Sequence, residues 1–430
     1  MVRSRSEAHR VAWLTLRESV RARQTVQPAI NAKNQNQGAA RVSLTGNDES
    51  RLTGCFEGLR VLDFSTTIAG PHCARMLADM GAEVIKIESA EGETMRTRPP
   101  VRHGCSTAFG QLNVGKKSVV LDLKCSADVE AVRRLVATAD ILVENFRPGV
   151  MQRLGLAYAT LSELNPRLIY CSISGYGQTG PSAELPAYAP VIHAASGYEM
   201  AHLAYQPGRS RPDYCGIYHA DVVTGTYAFG AIASALYQRE RTGRGQHIDC
   251  SMLESMLSLT LNEIQGAQFA VEPPQRPPFG PAETRDGYVM IAVASEKTFQ
   301  NLMGVIGRPA WVEDPRFARY ADRRRHWGDL MDGVEAWSSG LTTAECVAAL
   351  SAGGVPSSAY RSVAEALADP QLAHRDALAE VTDAAGSFKV VNLPFRMSEA
   401  RVAAGARAAS LGEHTADVLR EVGAIDTGQG

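Results

Sequence analysis

The feature that most constrains the fold is a repeated alternation of short apolar strands with amphipathic helical stretches, beginning after residue 56. Residues 60–64 and 83–88 have the pattern of buried strands, and the stretch 72–80 between them is helical in spacing, so this region predicts a βαβ unit. The alternation continues with strands at 118–123, 141–144 and 168–173 and a helix at 126–138. Such a succession predicts an α/β fold with a doubly wound, mainly parallel, Rossmann-like sheet covered by helices on both faces.

The second half of the chain changes character after a long helical stretch at 222–239 and an extended run at 246–251. Residues 273–281 contain too many prolines for a regular element and are interpreted as an extended linker. Beyond them, a strand at 288–293 and helices near 299–306 and 343–350 predict a second, smaller α+β domain. We therefore expect an extension (1–53), a large α/β domain (54–265), a proline-rich linker (266–285), a small α+β domain (286–365), and a return segment whose C-terminal helix packs on the large domain (366–430).

The first 53 residues are rich in arginine and poor in acidic residues, and a polar stretch of Asn and Gln follows. A segment of this composition cannot bury enough apolar surface to fold alone. It is compatible with an organelle transit peptide, with a disordered tail, or with a start codon placed too far upstream. The expected location is the cytoplasm, with the mitochondrion as the alternative if this segment is a transit peptide.

Bulk composition excludes some functions. A formal net charge of −2 creates no long-range field for polyanions, so we expect neither nucleic-acid nor membrane-surface binding. Apolar runs are too short to span a bilayer. The eight cysteines lack the spacing of a zinc site and are interpreted as reduced thiols; neither a metal nor a permanently bound cofactor is predicted.

The turn after the first predicted strand does not carry the G-x-G-x-x-G pattern of a dinucleotide-binding site. It reads Ser65-Thr66-Thr67-Ile68-Ala69-Gly70-Pro71. This disfavours a nicotinamide-dependent oxidoreductase. Backbone amides at the helix start are suited to an anion, although a tight turn without a ligand explains the same residues.

An ordered series of motifs runs through the chain, among them Glu144-Asn145-Phe146-Arg147-Pro148-Gly149. The other motifs lie at 69–71, 81–88, 113–118, 121–124, 165–170, 174–181, 240–246 and 411–415. From residue 56 to about 423 the sequence resembles the family III CoA-transferases, which include formyl-CoA and carnitine CoA-transferases and the related α-methylacyl-CoA racemases. The resemblance implies acyl-CoA substrates and a homodimer of two interlocked rings.

Asp221 precedes the long helix that leads to the Thr-Gly-Arg-Gly-Gln turn, where the resemblance places a catalytic aspartate. By position alone, Asp221 would be interpreted as the N-cap of that helix. The resemblance reverses this preference and implies that Asp221 carries the acyl group as a mixed anhydride and CoA as an aspartyl thioester. A carboxylate near a helix start should also be held ionised by the helix dipole.

The resemblance also implies a CoA-binding set, in which Lys124 and Arg153 are chemically suited to the phosphates. Taken singly, each of these two residues is more often a solvated surface charge. The set consists of Thr66, Thr67, Ile68, Ala69, Leu121, Lys124, Asn145, Phe146, Arg153 and Tyr188.

Four positions depart from the family pattern. Thr66 and Ile68 replace His and Gln of formyl-CoA transferase, and Ser89 replaces an arginine, so formate and oxalate are not expected as the natural pair. Ala189 replaces the aspartate that serves racemases as a base, and alanine cannot move a proton.

The predicted function is transfer of CoA from an acyl-CoA donor to a carboxylic acid. Arg209 or Arg211 is a candidate partner for a second carboxylate, which would favour succinyl-CoA or another dicarboxylyl-CoA; an exposed basic loop is the alternative reading. An acyl-CoA racemase or isomerase and a non-catalytic CoA-binding protein remain alternatives at this point.

Overall fold

The computed structural model describes residues 52–206, 208–212, 214–269 and 279–425. Strands in these ranges are β1 (Arg60–Asp63), β2 (Glu83–Glu88), β3 (Val101–Arg102), β4 (Cys105–Ser106), β5 (Lys117–Val120), β6 (Ile141–Glu144), β7 (Ile169–Ser174), β8 (His247–Ser251), β9 (Phe279–Thr284), β10 (Gly287–Ala292), β11 (Ser357–Ala359), β12 (Leu378–Asp383) and β13 (Gly386–Val391). The helices are α1 (Ala69–Asp79), α2 (Thr107–Asn113), α3 (Ser126–Thr138), α4 (Val150–Arg153), α5 (Tyr158–Leu164), α6 (Ala189–Ala195), α7 (Tyr198–Ala204), α8 (His219–Thr242), α9 (Met252–Leu257), α10 (Leu261–Ala267), α11 (Glu296–Val305), α12 (Tyr320–Arg325), α13 (Trp327–Ser338), α14 (Thr343–Ala352), α15 (Val363–Leu367), α16 (Pro370–His374) and α17 (Thr415–Glu421).

The central sheet has six strands in the order β5-β2-β1-β6-β7-β8, and every neighbouring pair is parallel. This is the strand order of a doubly wound dinucleotide-type sheet, and it confirms the predicted fold class. The order reverses between β1 and β6, since the chain moves outward to β2 and β5 on one side and to β7 and β8 on the other. A crevice for ligands is expected outside the carboxyl ends of these two strands.

Apolar side chains cover both faces of the sheet, because neighbouring residues of a strand point to opposite sides. In β1, Val61 belongs to a buried cluster with Cys73 and Leu77 of α1 and Ile232 of α8. Its neighbour Leu62 belongs to a second cluster, formed with α3 and with the C-terminal helix α17. The long helix α8, which carries Asp221, therefore lies on the same face of the sheet as α1.

A smaller antiparallel sheet, in the order β11-β10-β9, packs with the helices that follow it around its own apolar core. The interpretation of residues 279–284 as linker was wrong, because they form strand β9. Pro281 has no amide hydrogen to donate, but β9 is an edge strand of this sheet, where proline is tolerated.

Some predictions lie outside the described residues. These are the extension up to residue 51, on which the predicted compartment depends, and the central part of the linker, 270–278. The domain boundaries and the compartment therefore stay predictions. Within the described ranges, no helix combines the length and the apolar character needed to cross a membrane.

Candidate functional site

The candidate site lies at the carboxyl edge of the central sheet, where its strand order reverses. The turn at 65–68 follows β1, Leu121 and Lys124 follow β5, and Asn145 and Phe146 follow β6. Because parallel strands end at one edge of a sheet, most of the predicted CoA-binding residues share this edge.

Side-chain hydrogen bonds hold the turn after β1 in an uncommon conformation. Thr67 has φ 69°, in the left-handed region that a threonine seldom adopts. The Thr67 amide donates to Glu93 Oε2 at 2.9 Å. Asn145 makes two hydrogen bonds with Thr66: its Oδ1 accepts from the Thr66 amide and its Nδ2 donates to the Thr66 carbonyl, each at 2.8 Å. The turn is therefore fixed before any ligand binds.

A buried polar network supports this turn from below. Lys116 Nζ donates to Asp63 Oδ2 at 2.8 Å and to the Pro71 carbonyl at 2.9 Å, while Lys86 Nζ donates to the Ser65 carbonyl at 2.8 Å. Burial opposes ionisation of Asp63, but Lys116 and Lys86 outweigh it and keep the pKa of that carboxyl below its ordinary value. Burial lowers the pKa of Lys116 to about 8. The charges thus balance one another beneath the site.

Asp221 is the third residue of α8, whose N-cap is Tyr218, so the interpretation of Asp221 as the cap of its own helix was wrong. Its carboxylate instead accepts a hydrogen bond from the Ala69 amide, in the first turn of α1. Burial raises the pKa of Asp221 to about 6, and the Ala69 hydrogen bond opposes this shift only in part. Burial therefore outweighs the expected stabilisation of the ionised carboxylate by the helix dipole. At pH 7 about nine in ten Asp221 carboxyls would still be ionised.

Helices α1 and α8 can approach this closely because Gly225 lies at their contact. A Cβ atom at this position would lie 2.5 Å from the Ala69 carbonyl oxygen. Gly225 follows Asp221 by one helical turn, so the same contact determines where the carboxylate meets the Ala69 amide.

The other residues predicted to bind CoA or substrate differ in their exposure to solvent. The side chain of Leu121 is buried in the core, so only its backbone can face a ligand. Lys124 and Arg153 are exposed, and Tyr188 is two-thirds exposed as the N-cap of α6. Arg209 and Arg211 are exposed in the segment before α8. Ala189 is buried at the start of α6.

Sequence reasoning missed the residues that position the site rather than line it. Glu93 and Gly225 were not predicted to have any role, and Lys86 and Lys116 appeared only as parts of family motifs. No local signal identifies them, because each acts through a contact with a distant part of the chain: Glu93 reaches Thr67, and Gly225 reaches Ala69.

Comparison with known proteins shows the family of the chain. The family model described as CoA-transferase family III matches residues 56–415. A succinate–glutarate CoA-transferase of Agrobacterium fabrum is 34% identical over 386 residues, covering 86% of this chain and 96% of that protein. An acetyl-CoA:oxalate CoA-transferase of Acetobacter aceti is 38% identical over 350 residues, covering 78% and 88% of the two chains.

A solved structure supports the same assignment at the level of the fold. A CAIB/BAIF family protein from Brucella suis superimposes with a TM-score of 0.76 at 33% identity, and the match covers 86% of this chain and 100% of that one. The sequence motifs, the six-stranded parallel sheet and these relatives agree, and the chain belongs to CoA-transferase family III and is a CoA-transferase.

Proposed function

We propose that this CoA-transferase works through covalent intermediates on Asp221. The observation that carries the proposal is the position of the Asp221 carboxylate, which is partly buried at the sheet's crevice and hydrogen-bonded to the first turn of α1. A carboxylate with a pKa of about 6 is ionised at neutral pH yet poorly solvated, which makes it a better nucleophile than an exposed aspartate.

The reaction needs no net proton transfer. Asp221 attacks the thioester carbonyl of the donor and expels CoA thiolate, which leaves a mixed anhydride on the enzyme. The thiolate attacks the aspartyl carbonyl of this anhydride, so that the donor acid departs and an aspartyl-CoA thioester remains. The acceptor carboxylate then repeats both steps in reverse, and its acyl-CoA leaves as Asp221 is regenerated.

The first turn of α1 is the proposed source of electrostatic stabilisation. Its amides have no acceptor within the helix, and Ala69 already directs one of them at a carboxylate oxygen. The Gly70 amide, next to that of Ala69, would stabilise the oxyanion that develops when Asp221 attacks, whereas Pro71 has no amide hydrogen to donate. The fixed conformation of Thr67 matters here, because donors that need no reorganisation lower the barrier most.

The proposed CoA site follows the same sheet edge. Residues 66–69 and Asn145 would contact the part of CoA nearest the thioester, and Phe146 would pack beside it. Lys124 and Arg153 are exposed, with side chains long enough to reach phosphates. The backbone of Leu121 and the exposed ring of Tyr188 complete the proposed set.

For the acid substrates we propose dicarboxylates, with succinyl-CoA as a donor. The relative from Agrobacterium fabrum is named for succinate and glutarate. Arg209 or Arg211 would pair with the second carboxylate. Oxalate belongs in the test, because the Acetobacter aceti relative is named for it, against our expectation from the first turn. If monocarboxylic acids compete as well as succinate, the dicarboxylate proposal is wrong.

We also propose a homodimer, as the family resemblance implies. Helix α8 leaves Val222, Tyr227 and Tyr237 exposed, and Tyr214 and Ile217 are exposed just before it. Exposed apolar side chains in such numbers are typical of an interface. Sedimentation as a monomer at micromolar concentration would contradict this.

Racemase activity is the alternative within the superfamily, and Ala189 argues against it. The side chain is an alanine buried at the start of α6, so no proton acceptor stands at that position. We expect no exchange of the α-proton of an acyl-CoA with deuterium in heavy water.

Trapping of the intermediate tests the main proposal. The protein is incubated with succinyl-CoA, acetyl-CoA and oxalyl-CoA in turn, treated with hydroxylamine or borohydride, and digested for peptide mass spectrometry. We expect modification of Asp221, and none in D221N. Asp417 lies in the first turn of α17 and is exposed, so D417N is a matched control that should be labelled like the wild type. Absence of label at Asp221 with every donor would contradict the mechanism.

A further inference from the structure

The helix that carries Asp221 begins without a side-chain cap from its own residues. Tyr218 is the N-cap of α8, and its side chain makes no capping hydrogen bond. The first amides of a helix need an acceptor from elsewhere when they are buried. In α8 the Ala220 amide donates to Nε2 of His193 at 3.1 Å, and His193 belongs to a different helix, α6.

Both members of this hydrogen bond are shielded from water. Ala220 is 0% exposed and His193 is 1% exposed. Water therefore cannot replace the imidazole as the acceptor for this amide, and an amide left without an acceptor in such a place is strongly disfavoured. The bond lies one residue before Asp221 in the chain.

The hydrogen bond fixes the protonation of the ring. Because Nε2 accepts from an amide, it carries no proton, and the single proton of the neutral ring must be on Nδ1. Nδ1 lies 3.7 Å from Glu199 Oε1. The ring also packs against Tyr198 and His219, with centroids 6.0 and 5.6 Å away.

We propose that His193 is a positioning residue for the transfer reaction: its Nε2 serves as the missing cap of α8 and holds the first turn where Asp221 meets the Ala69 amide. This inference rests on the proposed role of Asp221. If the cap is lost, the first turn must shift or unwind until the Ala220 amide finds another acceptor, and Asp221 moves with it. His193 itself does not contact the reacting atoms.

The neutral ring is the working form. Protonation would put a hydrogen on Nε2, which would then face the Ala220 hydrogen, so the cap would break. Burial and the nearby His219 lower the pKa of His193, and Glu199 opposes this. The titratable groups facing the ring are thus Glu199 and Tyr198 from α7 and His219 from α8, while α9 packs Met252 and Met256 nearby and carries an exposed Glu254.

Three variants separate positioning from general stability. In H193Q the amide oxygen reaches the position of Nε2, accepts the same bond and cannot titrate. In H193L the acceptor is gone and similar volume remains. Thr342 caps α14, one of the helices that follow the smaller antiparallel sheet, through a capping box. T342A therefore removes a helix cap far from the site in sequence and serves as the matched control.

Two measurements are made on the full-length protein. The first is the rate of Asp221 modification and of turnover with succinyl-CoA, from pH 5 to 9. For H193L we expect kcat to fall roughly 10- to 100-fold with little change in KM, because misplacement of a catalytic group by about 1 Å has that effect. H193Q should keep kcat within about 3-fold at pH 8, and T342A should match the wild type.

The acid limb of the profile gives a signature that a structural role would not. In the wild type, protonation of either Asp221 or His193 stops the reaction, so the fall of log kcat steepens toward a slope of about two wherever the pH lies below both pKa values. In H193Q only Asp221 titrates, and the slope should be about one. A steeper acid limb in H193Q than in the wild type would overturn the proposal.

The second measurement is hydrogen exchange of the peptide that contains Ala220, which needs no activity. Faster exchange is expected in H193L and unchanged exchange in H193Q. Unchanged exchange in H193L would overturn the cap, and faster exchange with normal kcat would overturn positioning. If the wild type itself is not labelled at Asp221, the proposed function fails, and the exchange data still decide whether His193 is the cap.

Discussion

Replacing Gly225 with alanine tests whether the contact between α1 and α8 positions the carboxylate. The added Cβ would lie 2.5 Å from the Ala69 carbonyl oxygen and 3.1 Å from His72 Cδ2. Carbon and carbonyl oxygen are comfortable at about 3.3 Å, so the two helices must separate by roughly 0.8 Å. The oxygen belongs to the backbone and cannot rotate away. Overpacking of this size costs about 1–3 kcal/mol, which the better helix propensity of alanine offsets by up to about 1 kcal/mol.

The effect on activity should exceed the effect on stability. Asp221 precedes Gly225 by one turn of the same helix, so a shift of α8 carries the carboxylate away from the Ala69 amide. A displacement approaching 1 Å should lower kcat by about 100-fold. Since the Ala69 hydrogen bond lowers the pKa of Asp221, its loss raises that pKa further above 6. The acid limb of the rate profile should therefore move to higher pH.

Steady-state kinetics across pH and urea unfolding measure both effects. G304A is the control, because Gly304 lies near the end of α11 with no atom within 4 Å of its ideal Cβ. That variant should be as active as the wild type and equally or slightly more stable. If G225A keeps the wild-type kcat and an unshifted acid limb, the helix contact does not position Asp221, and our account of the site is wrong.

Two further variants test the strand ends that support the turn. N145A removes both hydrogen bonds to Thr66, so it should raise KM for acyl-CoA about 10-fold and cost about 1–3 kcal/mol of stability. N165A is the control, because it removes two side-chain hydrogen bonds to the Val136 and Ala139 carbonyls, away from the turn. It should cost similar stability without changing KM. Burial raises the pKa of Glu144 from 4.5 to about 7, so the folded state binds this proton more tightly and stability falls as pH rises between those values. The glutamine of E144Q cannot lose a proton, so this variant should be more stable than the wild type by up to about 3 kcal/mol at pH 8 but not at pH 4.5. Urea unfolding at the two pH values measures the difference. Equal differences at both pH values would contradict the raised pKa of Glu144.

The sheet could be predicted from the sequence because its signals are local. β2, β6 and α3 coincide with the predicted residues 83–88, 141–144 and 126–138. In each element the apolar residues follow the spacing of a strand or helix that buries one or both of its faces. Pro281 shows the limit of this reasoning, since a proline is compatible with a strand only at a sheet edge, and which strands lie at edges is a property of the whole fold.

The candidate site was predictable only in its chemical groups. Asp221 could be selected by resemblance, but its local sequence favoured a cap for its own helix, and its carboxylate in fact binds the start of α1. His193 has the local setting of an ordinary helical residue. Lys86 and Lys116 interrupt apolar patterns and would be expected at a surface, yet both are buried because Asp63 lies between them. These outcomes depend on contacts between segments far apart in sequence.

The hydrogen bond between Ala69 and Asp221 also bears on how the protein is synthesised. Its two ends lie at positions 69 and 221, so a ribosome completes the whole turn after β1 long before the nucleophile emerges. If Asp221 is the nucleophile, as proposed, a chain that ends before residue 221 lacks the carboxylate on which the anhydride would form. Under the proposed mechanism, the anhydride can therefore form only once α8 has brought its carboxylate to the Ala69 amide.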